Sequence, residues 1–286
     1  NFLTRKEELK SFWNRAPNYM AKGYEDVLAL PSADSMLAEI VGSFSSGVWH
    51  LGADVNINAS KIDTINGLEQ TLSIGLEDAR DRFNNGYTLC FADLSNHFAT
   101  LSEIKESATD VFGSAELVQV TAYLSPSNST GVLHFDSQHN FFIQREGVKR
   151  WFVGAKAAVE NPFQNLVYPG ATEEFFRLMQ SCGYHIRQPL DCGKQEFLLE
   201  PGDVLYVPPG FYHSSETSKG HSLHFTLTIE PSSFWPALNK ALYETLMRNT
   251  NVLNADERFL GAEELAEHRK ICVDALLEAI TKLRIG

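Results

Sequence analysis

The stretch His134–Gly154, HFDSQHNFFIQREGVKRWFVG, decides how the chain is read. It sets a histidine two residues before an aspartate, continues in large apolar side chains, and resumes after a turn with Lys149 and Arg150. His134, Asp136, Asn140 and Gln144 share one parity, and a two-residue period turns side chains of equal parity to one face. Burying four polar groups in a row costs free energy unless partners satisfy them. The row therefore either faces water or lines a site.

The same alternation recurs on both sides. In ELVQVTAYLS (116–125), Val118, Val120, Ala122 and Leu124 fall on one face, and Gln119, Thr121, Tyr123 and Ser125 on the other. NFFIQR, KRWFVG, QEFLLE and DVLYVP follow, separated by turn punctuation such as SPSNSTG, REG, EPGD and PPG. HSLHFTLTIE (221–230) sets Ser222, His224, Thr226 and Thr228 against Leu223, Phe225, Leu227 and Ile229. Several short strands with a repeated polar face predict a mainly β fold, an antiparallel sandwich or jelly roll with a polar pocket inside.

Helical signals flank and interrupt this region. DSMLAEIVG (34–42), GLEQTLSIGLEDARDRF (67–83) and TLSEIKESATDVFG (100–113) have helical spacing or composition, with GYTLCFADL (86–94) reading as a strand between the last two. ATEEFFRLMQSCG (171–183) reads as a helical insertion between strands. After Pro231, FWPALNKALYETLMRN (234–249) and GAEELAEHRKICVDALLEAITKLRIG (261–286) are helical, the latter with Leu265, Cys272, Leu276, Ala279 and Leu283 along one stripe. Such a stripe packs either on its own domain or against a second copy. The expected organisation is a jelly-roll domain over 1–232 and a helical region over 233–286.

Composition narrows the function classes. The 286 residues are 43% hydrophobic and 21% charged, ordinary for a folded soluble chain. No apolar run reaches the roughly 20 residues of a membrane helix, and no signal peptide is evident. The chain begins with Asn1 rather than Met, which fits a few further residues ahead of it. Cys90, Cys182, Cys192 and Cys272 show no CxxC spacing and read as free thiols of a cytoplasmic protein. A formal net charge of −12 argues against a nucleic-acid surface and is compatible with a basic protein partner.

His134 and Asp136 offer two ligands at i and i+2 on one strand face. The best third candidate is His213, which follows a strand and a proline turn in GDVLYVPPGFYH (202–213). Two histidines and one carboxylate form the facial triad of non-haem Fe(II) oxygenases, with three positions left open. Lys149 could hold an anionic co-substrate by a charge-assisted hydrogen bond. Spacing alone leaves this iron site and a solvated polar strand face as alternatives. A zinc cluster of His221 and His224 with His213 is disfavoured, because those two fall on opposite strand faces. His139 has the opposite parity from Asp136 and reads as packing.

HFDSQHNFFIQREGVKRW resembles the metal-binding strand of the JmjC-type (cupin-like) 2-oxoglutarate oxygenases, including their asparaginyl hydroxylase branch at Asn140-Phe141-Phe142 and Lys149-Arg150. GDVLYVPPGFYH, HSLHFTLTIEPSSFW (221–235), AYLSPSNSTG (122–131) and the FW and RAP near Phe12 are similar to the ribosomal oxygenase branch. The resemblance runs from the N-terminus to about residue 240. It implies a double-stranded β-helix core plus a C-terminal helical dimerisation region, and hence a homodimer. It implies Fe(II) at His134, Asp136 and His213, with 2-oxoglutarate as co-substrate and O2 as oxidant. Lys149 would pair with the distal carboxylate, helped by Ser125 or Tyr123; Asn140 would lie near the co-substrate, and Thr226 and His224 would face the same pocket. Ribosomal oxygenases carry a winged-helix domain after their dimerisation helices; the 286 residues hold no counterpart, which leaves the substrate open.

The expected function is hydroxylation of a protein or peptide side chain. The same chemistry on a free amino acid or natural-product intermediate is the second reading, and a catalytically silent jelly-roll binding module the third.

Overall fold

The computed structural model describes residues 2–25, 27–36, 57–62, 69–92, 94–113, 117–162, 164–168, 170, 173–181, 185–231 and 261–283. The chain divides into two compact units, 1–231 and 232–286. The first begins with α1 (Lys6–Phe12), β1 (Asn18–Met20), β2 (Ile57–Ile62), β3 (Glu69–Ile74), α2 (Leu76–Asn84), β4 (Thr88–Phe91) and α3 (Ala99–Phe112). Next come β5 (Val118–Ser125), β6 (Ser129–Thr130), β7 (Leu133–Phe135), β8 (His139–Glu146), β9 (Lys149–Val153), β10 (Leu166–Tyr168) and α4 (Glu173–Ser181). β11 (Gln195–Leu199), β12 (Val204–Val207), β13 (His213–Thr217) and β14 (Ser222–Ile229) complete it. In the second unit the described residues form one helix, α5 (Ala262–Leu283).

Among the described residues the strands form two antiparallel sheets. The larger has the order β1-β12-β8-β14-β5-β4-β2-β3; the smaller runs β10-β7-β13-β9-β11, with β6 beside β13. Antiparallel sheets with one face on an apolar layer read as alternating strands, and β5 and β14 obey this residue by residue. Val118, Val120, Ala122, Leu124, Leu223, Phe225, Leu227 and Ile229 join a core with Leu9 and Phe12 of α1 and Leu101, Ile104 and Ala108 of α3. Tyr123, Ser125, His224, Thr226 and Thr228 turn the other way, into a cavity between the sheets.

Two expectations need correction. The stretch 67–83 is not one helix: Glu69–Ile74 is a strand paired along its length with β2, and only Leu76–Asn84 is helical. Alternation in EQTLSI and Gly75 after it favour that division, and pairing with a neighbouring strand overrides helical composition. The polar row opening at His134 is also not one strand. The chain bends at Asp136–Gln138, so that His134 lies on β7 in the smaller sheet and Asn140 and Gln144 on β8 in the larger. Gln144 does not reach the cavity; its Nε2 donates to Glu146 O at 2.7 Å and Ser222 Oγ at 2.9 Å, bracing the turn into β9. The predicted helix over 34–42 lies largely, and that over 234–249 wholly, outside the described residues.

The N-terminal strand is pinned by one buried carboxylate. Asp203 accepts hydrogen bonds from Tyr19 Oη at 2.9 Å, Lys22 N at 3.0 Å and Glu200 N at 2.9 Å. Close by in sequence, the Pro-Pro-Gly turn sets the approach to β13. Gly210 has φ 76°, its N–H donates to Asp136 O at 2.8 Å, and its carbonyl accepts from Ala158 N at 2.7 Å. A Cβ at Gly210 would run into the Val159 carbonyl oxygen. Gly210→Ala is therefore expected to destabilise the fold by roughly 2–4 kcal/mol through positive-φ strain and this clash, read as a lower thermal midpoint.

Candidate active site

His134 and His213 sit directly opposite each other across β7 and β13. Their rings lie 4.2 Å apart. The bend after β7 carries Asp136 between them, with Oδ2 3.4 Å from His213 Nε2 and 3.8 Å from His134 Nε2. The ligand-capable atoms of the three residues lie within 4.8 Å of one another, and they are the metal-capable cluster found among the described residues.

The tautomers follow from the backbone. His134 Nδ1 is 2.9 Å from Val132 O, and His213 Nδ1 is 3.0 Å from Phe211 O. A carbonyl only accepts, so each Nδ1 carries the hydrogen and each neutral ring presents a bare Nε2 lone pair. Burial, then the charge of His213, push His134 down to about 4. Asp136 is pushed up by burial, but His213, His134 and Asn140 outweigh this and hold it below the usual carboxylate range. The two Nε2 atoms and the carboxylate thus converge on one point, an arrangement that a cation resolves. The N,N,O set fits the facial triad of Fe(II), with three positions open.

Asp136 is itself held. Thr228 Oγ1 donates to Asn140 Oδ1 at 2.9 Å, which turns Asn140 Nδ2 towards Asp136 Oδ2 at 2.7 Å. This Thr228–Asn140–Asp136 chain was not foreseen in sequence, although Thr228 stood on the polar face of HSLHFTLTIE. Asn140 lines the cavity, but its amide is engaged with the carboxylate.

The cavity holds about 400 Å³ and is lined by all eight expected site residues: His134, Asp136, His213, Lys149, Asn140, Ser125, Tyr123 and Thr226. Lys149 is buried, with Nζ 2.8 Å from Ser125 Oγ. Burial pushes it down to about 7. Tyr123 is held protonated, its pKa raised by burial and by Cys90. Thr226 Oγ1 and Trp151 Nε1 are buried without a hydrogen-bond partner among the described residues, although both residues line the cavity. Such orphans are rare in native interiors and mark polar capacity left for a ligand.

The other histidines separate from this cluster. His221 is exposed and pairs with Glu146 Oε2 at 2.9 Å, whereas His224 is buried in the cavity wall, so the two do not combine as a zinc site. His139 is a packing residue: it stacks on Trp13 at 3.9 Å and its Nδ1 accepts from Tyr206 Oη at 2.8 Å.

Comparison with known proteins agrees with this geometry. A family model described as the JmjC domain matches residues 93–235, half of the chain and the part that carries the whole triad. The chain is 27% identical over 234 residues to ribosomal oxygenase 2 of Rattus norvegicus, covering 79% of this chain and 45% of that protein. It is 33% identical over 173 residues to the bifunctional lysine-specific demethylase and histidyl-hydroxylase NO66 of Aedes aegypti, covering 53% and 25%. The chain thus spans less than half the length of these curated relatives. The crystal structure of the Escherichia coli ribosomal oxygenase YcfD superimposes with a TM-score of 0.59 at 15% identity, over 96% of this chain and 66% of that one. YcfD in complex with cobalt and 2-oxoglutarate gives 0.54 at 17% identity, over 94% and 65%. With its triad and its two-sheet core inside the matched region, the chain belongs to the JmjC domain family.

Proposed function

We propose that the first unit is an Fe(II)- and 2-oxoglutarate-dependent oxygenase that hydroxylates a side chain of a protein or peptide. The observation that carries this is one cavity containing both the His134–Asp136–His213 donor set and a buried lysine with no carboxylate partner among the described residues. Fe(II), 2-oxoglutarate and O2 together supply oxidation of the 2-oxo acid to succinate and CO2, coupled to hydroxylation of a substrate C–H bond.

The chain's own residues supply the rest. Asn140 and the two backbone carbonyls orient the donors; Lys149 and Ser125 hold the distal carboxylate, with Tyr123 and Thr226 as further hydroxyl contacts. Phe142 and Trp151, stacked at 3.9 Å, form an apolar wall that excludes water from the reacting centre. Glu69, Glu230, Gln119 and Gln138 also line the cavity and suit a polar or cationic side chain. The named activities of the relatives, ribosomal oxygenase and histidyl-hydroxylase, support a polypeptide substrate. Free thiols at Cys90, Cys192 and Cys272 support a cytoplasmic setting. A homodimer through the second unit is supported by Val273 and Leu277, four residues apart on α5 and about half exposed; sedimentation should give twice the chain mass.

The decisive experiment is succinate formation from 2-oxoglutarate by anaerobically iron-loaded protein on exposure to air, with and without a peptide panel. Turnover should require Fe(II) and rise with one panel member. His134→Ala and His213→Ala should lose iron binding and turnover together; normal activity in either would refute the assignment.

Lys149 gives a second expectation with a definite sign. Its proton is held up to the ordinary lysine range when unfolded but only to about 7 when folded. Between those values the unfolded chain binds more protons, so the folded state gains stability as pH rises. Lys149→Met should abolish this slope and stabilise the ligand-free protein at pH 7, on the order of a few kcal/mol, while weakening 2-oxoglutarate binding. Urea unfolding at pH 7 and pH 9 separates the two proteins. In wild type, 2-oxoglutarate binding at pH 8 should take up close to one proton, read from the buffer dependence of the binding heat.

A further inference from the structure

His224 occupies the cavity face of β14 and is buried. Its ring lies parallel to Tyr123, with centroids 5.1 Å apart and planes at 6°. Trp151 meets it edge-on at 5.4 Å and 88°, and Phe142 at 6.0 Å and 72°. Three aromatic neighbours from three strands fix the ring plane, and with it the direction of Nδ1. Lys149 Nζ lies 3.4 Å from that nitrogen.

An ammonium has three N–H donors and a flexible stem, so its aim is set by the acceptors around it. Ser125 Oγ takes one donor, and Thr88 Oγ1 in turn donates to Ser125 Oγ at 3.2 Å. The His224 Nδ1 lone pair takes the second. The third hydrogen is left for a ligand, in a direction that the first two determine.

We propose that His224 is the positioning residue of this lysine: its unprotonated Nδ1 aims Lys149 Nζ at the distal carboxylate of a dicarboxylic 2-oxo acid. The inference rests on the 2-oxoglutarate reading above and deepens it. The charge state fits, since burial and then the Lys149 charge push His224 well below the usual histidine range. Its other ionisable neighbours leave the ring as an acceptor. Tyr123 on β5 and Cys90 on β4 behind it are both raised by burial and stay protonated near neutral pH.

Two variants separate acceptor from packing. His224→Phe keeps an aromatic ring between Tyr123 and Trp151 and deletes the lone pair. His224→Asn deletes the ring and keeps an acceptor near the Nδ1 position. Dissociation constants for 2-oxoglutarate and for 2-oxobutyrate, which lacks the distal carboxylate, are measured by calorimetry on anaerobic Mn(II)-loaded protein, with Mn(II) affinity as the control for an intact site. His224→Phe should weaken 2-oxoglutarate about tenfold or more, the scale of a lost charged hydrogen bond, with 2-oxobutyrate and Mn(II) unchanged. His224→Asn should bind 2-oxoglutarate within about threefold of wild type. The reverse order, or equal behaviour of both variants, would overturn the positioning role. Failure of wild-type protein to bind 2-oxoglutarate at all would instead overturn the oxygenase reading and this inference with it.

Discussion

The register pair His134–His213 is the constraint on which the rest of the molecule depends. These residues are far apart in sequence, and antiparallel pairing of β7 with β13 brings their rings side by side. Three lone-pair donors held this close are unfavourable for the folded chain by themselves. The surrounding structure must therefore hold them rigidly. It does so with backbone ties, through Gly210 N to Asp136 O and through the carbonyls of Val132 and Phe211. The apolar layer on the far face of the larger sheet then supplies the burial that keeps the strands in place.

Electrostatics inside the cavity follow from the same layering. Because β5 and β14 send every second side chain inwards, most of their polar groups collect in one cavity with Lys149 from β9. Burying an unpaired cation is costly, and the fold softens that cost with neutral acceptors instead of a carboxylate. A carboxylate partner would have satisfied the lysine permanently and closed the site to an incoming anion.

Much of this was legible in the sequence where local rules suffice. Strict alternation in ELVQVTAYLS and HSLHFTLTIE assigns residues to the core or the cavity, and the structure places Val118–Ser125 and Leu223–Ile229 accordingly, while Ser222 bonds to Gln144 outside the cavity. The HxD and the later histidine could be matched as candidates because their chemistry is specific. What could not be read is set by distant partners. The bend at Asp136–Gln138 moves the chain from one sheet to the other, held by Gly210 N and by Asn165 Oδ1, which accepts from Ser137 N at 2.8 Å. Nothing in HFDSQHN announces it, so Gln144 was grouped with residues it never meets. Likewise β3 is a strand because β2 lies beside it, not because EQTLSI rejects a helix.

The two histidine caps have a further consequence. Each Nδ1 hydrogen goes to the carbonyl two positions earlier in the chain, just ahead of its strand, and carbonyls do not change when side chains do. A mutation at position 132 or 211 can alter packing, but it cannot remove the acceptor that fixes the ring proton. The most delicate feature of the centre, which nitrogen is bare, is thus shielded from sequence drift, and the chain around it is free to diverge while the donor geometry persists.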